Sequence, residues 1–63
     1  MPLDEAEYMV DNAEAEYVAM LPRCRNRDAA KATFRSFELA ALERRNKREA
    51  CRLLSQLRQQ LAA

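Results

Sequence analysis

After Pro22 neither glycine nor proline occurs again, and the whole chain contains no glycine at all. That single feature limits what the chain can fold into. Tight strand-to-strand turns favour residues that tolerate positive φ, above all glycine, and helices are usually ended by glycine or proline. The residues that fill the space are Ala, Leu, Glu, Arg and Gln, all strong helix formers. The expectation is an all-α protein in which one helix ends at Pro22 and a second runs on unchecked.

The first helix is predicted over about residues 4–21. Asp4 reads as its N-cap, with Glu7 in the capping-box position and Leu3 and Tyr8 placed to form a hydrophobic staple. An exposed Tyr8 among acids is alternatively a contact residue for a partner. Apolar residues recur at Leu3, Ala6, Val10, Ala13, Tyr17 and Met20, a heptad-like stripe down one face. The segment PRCRNR, residues 22–27, is a polar turn, after which Asn26 or Asp28 can cap a second helix over about 28–61. Such a helix would be about 50 Å long against about 27 Å for the first.

That second helix carries two apolar faces. Phe34, Phe37 and Ala41 share one; Leu39, Leu42, Ala50, Leu53, Leu54, Leu57 and Leu61 share another, roughly opposite, with Asn46 on the same stripe. One shorter helix cannot cover both. The preferred architecture is therefore a single helical-hairpin domain over 1–63. Val10, Ala13, Tyr17, Met20, Phe34, Phe37 and Ala41 form its core. The leucine face, with Asn46 able to set register, meets a twin in a four-helix homodimer or meets another protein. The competing architecture bends near Arg45 and Asn46 and folds the leucine segment back into a three-helix bundle.

Size supports a need for a partner or a fold-back. A chain of 63 residues buries only about 60% of its unfolded surface and is marginal alone. Metal is not expected to supply the difference, since there is no histidine and only two cysteines, Cys24 and Cys51. Such a pair reads as reduced thiols of a cytoplasmic protein, and the acidic N-terminal stretch MPLDEAEYMV indicates neither export nor membrane insertion. Cys24, between Arg23 and Arg25, reads either as the more reactive thiol or as a half-buried turn residue. On a straight second helix the two cysteines stand more than about 30 Å apart, beyond disulfide reach.

Charge is sharply divided. Residues 1–21 carry six acids and no base, while residues 22–63 carry all eleven bases and four acids. Within the basic half, Arg44, Arg45, Lys47, Arg48 and Arg52 crowd together just before the leucines. They read either as a stripe contacting phosphate or an acidic protein, or as a solvated face that pairs with the acidic first helix. A basic segment running into leucines is similar to the arm of basic-leucine-zipper proteins. Here, however, Asn46 is followed by Lys47, Arg48, Glu49, Ala50, Cys51 and Arg52, which puts glutamate in place of the first paired alanine and brings Cys-Arg two residues early. Barely two heptads follow Arg52, so the resemblance is rejected. Arg23, Arg25 and Arg27 lie beside the start of the second helix, whose free N–H groups attract anions.

Nothing points to catalysis. No histidine, glycine-rich phosphate loop or nucleophile paired with a base is present, and no cofactor is expected. The functional expectation is a non-enzymatic regulatory or inhibitory protein that binds another protein through helical faces, as an adaptor, chaperone or phage- or plasmid-type inhibitor. The alternative is a small nucleic-acid-binding regulator using the basic cluster.

Overall fold

The computed structural model describes residues 3–43 and 46–62, with backbone alone for Leu3, and the described residues are almost wholly helical. Helix α1 spans Leu3–Met20, a short 3₁₀ turn covers Leu21–Arg23, and α2 spans Arg27–Glu38. A π-helical turn, Leu39–Glu43, widens the end of α2, and α3 spans Lys47–Ala62. Pro22 sits inside the 3₁₀ turn, where its missing N–H costs no helical hydrogen bond. Asp4 lies within the first turn of α1 rather than before it, where its carboxylate still favours the positive end of the helix dipole. The expected staple between Leu3 and Tyr8 falls outside the described residues.

The continuous second helix is corrected by the structure. Residues 28–61 form two helices and not one, and the Cα atoms extend over only 33 × 17 × 14 Å, well short of a straight helix of about 50 Å. Two local devices make the break. The backbone N–H of Asn46 donates to the carbonyl of Ala40 at 2.7 Å, closing the wide π turn. The Asn46 side chain then accepts from the N–H of Glu49 at 3.1 Å, and its carbonyl accepts from Ala50 at 2.9 Å. Asn46 is thus the N-cap of α3, with Glu49 at the capping-box position. Asn26 does the same for α2, accepting from the N–H of Ala29 at 3.1 Å.

The break solves the problem posed by two apolar faces on one helix. Turning the chain back brings the phenylalanine face of α2 and the leucine face of α3 onto a common core. Ala30, Phe34, Phe37, Ala40 and Ala41 join Ala50, Leu53, Leu57 and Leu61 in a single cluster that Val10 and Ala13 of α1 complete. Phe37 is 0% and Leu57 1% exposed. Tyr17 stacks on Phe34, rings 4.2 Å apart and 4° from parallel, while Phe34 meets Phe37 at a tilt. Tyr17 and Met20 are half-buried against this cluster. Thr33 is the one buried polar side chain among the described residues. Its hydroxyl donates to the Ala29 carbonyl at 3.0 Å, whereas Oε1 of the half-buried Gln60 is buried without a hydrogen-bond partner among the described residues.

Packing is uneven around the bundle. The interface of α2 with α3 is the most extensive, and α1 meets the π turn more fully than it meets α3. Small side chains are concentrated at Ala6, Ala13, Ala40 and Ala41, all buried, which suits a close approach of α1 to that turn.

Candidate interaction surfaces

The leucine face, expected to be the interface with a second chain, is largely the chain's own core. Ala50, Leu53, Leu57 and Leu61 are buried within the bundle. Leu39, Leu42 and Leu54 are half-buried, with Leu42 and Leu54 packed against the core cluster. Asn46 is exposed, and its side chain is occupied as a cap and not as a register-setting residue between helices. The physical reason is the break itself, because a leucine segment folded back on its own chain no longer presents its apolar side outward.

What α3 does leave open is its edge towards α1. Between the two helices runs a cleft of about 270 Å³. Met9 and Ala13 of α1 and Leu54 of α3 form its apolar lining, with Tyr8 and Asn12 on the α1 side and Glu5 and Arg58 also bordering it. Tyr8 is 69% exposed, the most exposed large hydrophobic residue among those described, followed by Val18 at 60%. Two ion pairs tie the helices together beside the cleft: Lys47 Nζ to Glu5 Oε1 at 3.3 Å and Arg58 Nε to Glu16 Oε1 at 3.4 Å. Both pairs are well exposed to water, so each contributes little to stability.

These pairs decide much about the basic cluster that precedes the leucines. Arg44 and Arg45 lie outside the described residues. Lys47 is engaged by Glu5, and Arg52 by Glu49 on the same helix through both a hydrogen bond and an ion pair. The Glu49 hydrogen bond, reinforced by its charge, raises the Arg52 pKa above the ordinary guanidinium value. Arg48 is exposed on α3. Among the described members, two of three therefore have carboxylate partners within the chain, one of them on the acidic first helix.

Arg23, Arg25 and Arg27 are all exposed. Lys31 and Arg35, which the sequence reading passed over, are exposed too and follow Arg27 at steps of four along α2. That spacing places the three on one side of the helix and was available from the sequence. Among the described residues no carboxylate lies in ion-pair range of any of the five.

The cysteines part company. Cys24 is buried in the turn and its thiol donates to the Gln60 carbonyl at 3.3 Å, pinning the turn to the end of α3. Cys51 is exposed on α3. Both are free thiols. The plainer reading of Cys24, a packed turn residue, describes its surroundings.

Burial, followed by the nearby charges of Glu38 and Cys24, raises the Tyr17 phenol above its ordinary pKa. No helix of the described residues is long and apolar enough to cross a membrane. Compared with known protein families, curated proteins and solved structures, the chain matches none of them.

Proposed function

We propose that this chain is a small non-enzymatic regulatory protein that binds a larger protein by receiving one of its basic, amphipathic segments along the cleft between α1 and α3. The observation that carries the reading is the cleft's composition. Its lining is apolar, from Met9, Ala13 and Leu54, and beside it stands the largely exposed Tyr8. The helix that forms this side carries six acids and no base. Asp4, Glu7, Asp11 and Glu14 are exposed on that helix outside the cleft lining, and among the described residues none of them has an ion-pair partner. An apolar seam along an acidic helix suits a helix with apolar residues every third or fourth position and Lys or Arg on its flank. Tyrosine is a residue type favoured at the energetic centre of such contacts. Regulation would follow from sequestering that segment of the partner.

This reading needs no second copy of the chain, because Leu53, Leu57 and Leu61 of the leucine face are buried within it and Leu39, Leu42 and Leu54 are half-buried. Light scattering at low and high salt is expected to give a monomer.

The direct test is selection from a random peptide library with the wild-type protein as bait and Tyr8→Ala and Leu54→Gln as counter-baits. Enrichment of Lys- or Arg-rich peptides with apolar residues at helical spacing, lost on both variants, is the expected outcome. Peptides that are acidic or uncharged, or that bind Tyr8→Ala as well as wild type, would rule the cleft out as the binding surface.

A further inference from the structure

A second surface stands apart from the cleft. The described ion pairs engage Lys47, Arg52 and Arg58, all on α3. The five bases of the turn and α2 are treated differently: Arg23, Arg25, Arg27, Lys31 and Arg35 are exposed and have no carboxylate in range among the described residues. Between Arg23 and Arg35 there is a single acid, Asp28. Leaving five like charges together without internal partners costs self-repulsion, and an external polyanion relieves it.

From this contrast we infer that the turn and α2 form a face that grips the phosphate backbone of duplex nucleic acid. Arg27, Lys31 and Arg35 rise along one side of α2 at intervals of about 6 Å. Arg23 and Arg25 lie in the turn just before the helix start, where the Asn26 cap leaves the positive end of the helix dipole near them. The residues interleaved with the bases decide between nucleic-acid forms. Asn26, Asp28, Ala32 and Ser36 are exposed and none is aromatic, so the face has no platform for stacking unpaired bases, on which single-strand binders depend. Nor does it hold an exposed large apolar residue that would enter a lipid surface. What remains is contact with regularly spaced phosphates, which positions a protein on a duplex without reading its sequence. The cleft between α1 and α3 plays no part in this inference.

The experiment is fluorescence anisotropy of a labelled 20-base-pair DNA duplex titrated with the full chain at several salt concentrations. Five phosphate contacts give a log–log salt slope of about −4.5, which is a loss of about 500-fold in affinity between 50 and 200 mM salt. Replacing all five bases by glutamine, with helicity checked by circular dichroism, is expected to abolish binding. A control carrying Lys47→Gln, Arg48→Gln and Arg52→Gln is expected to keep the slope within about one unit. Equal losses in the two variants would overturn the assignment to α2. Tighter binding to single-stranded DNA of the same length would overturn the duplex, and the absence of salt-dependent binding in the parent would overturn the inference whole.

Discussion

Replacing Asn46 by alanine tests the break on which the whole architecture depends. In the wild type the Asn46 side chain satisfies the N–H of Glu49 at 3.1 Å, one of the orphan donors at the start of α3. Alanine removes that acceptor while leaving the backbone bond from the residue-46 N–H to the Ala40 carbonyl available. Loss of an Asn N-cap to alanine costs about 0.5–2 kcal/mol. Asn46 is exposed, so water can partly replace the lost bond and the cost should lie near the middle, about 1 kcal/mol. For a domain of this size that is a fall of about 4–8 °C in melting temperature, read by circular dichroism at 222 nm. Asn26→Ala is the internal standard, since Asn26 caps α2 with the same geometry, accepting from Ala29 at 3.1 Å. Asn46→Gly should cost only a few tenths of a kcal/mol, because glycine is a tolerable cap. The reasoning is refuted if Asn46→Ala raises both helicity and melting temperature while Asn26→Ala lowers them. That result would mean that α2 and α3 prefer to run together as one helix.

Two further outcomes follow from the packing and from the half-buried phenol of Tyr17. Leu57→Ala, at a side chain 1% exposed, should cost about 2–5 kcal/mol, most of the stability available to so short a chain. The urea midpoint should be independent of protein concentration if Leu57 is packed within one chain; a midpoint that rises with concentration would return the leucines to an interface between copies. Tyr17 has a raised pKa, chiefly from burial and then from Glu38 and Cys24. Its neutral form is therefore favoured by folding, and that contribution is full below the ordinary tyrosine pKa and is lost as pH rises through the folded value. Tyr17→Phe should show a smaller loss of stability than wild type in melts above about pH 10, and identical losses would show that Tyr17 is not the group responsible.

How the fold is written in the sequence differs from helix to helix. The all-helical class, the end of α1 before Pro22 and a cap at Asn26 or Asp28 all rest on local or strongly periodic signals, and these were legible. The α1–α3 cleft was not, because it arises where two helices distant in sequence lie side by side, and no periodicity encodes that. Tyr8 reads from the sequence as a contact residue, while Ala13 and Leu54 read only as core and interface positions. The basic face was half legible: Arg23, Arg25 and Arg27 form a cluster in the sequence, whereas Lys31 and Arg35 are set apart only by the pairing of Lys47, Arg52 and Arg58 with carboxylates.

The decisive difference lies at Asn46. The sequence by itself determined that the chain would be helical nearly throughout and that its second half would carry two apolar faces needing cover. It did not determine whether that cover came from a twin or from the chain itself. The local cap signal, Asn46 with Glu49 three residues on, is worth only about 1 kcal/mol, too little to outweigh good helix formers on either side. Burying Leu53, Leu57 and Leu61 contributes up to about 1.5–3 kcal/mol each, and that gain exists only once α3 lies against α2. The tertiary structure therefore decided the break, because contacts distant in sequence supplied the free energy that the local pattern lacked.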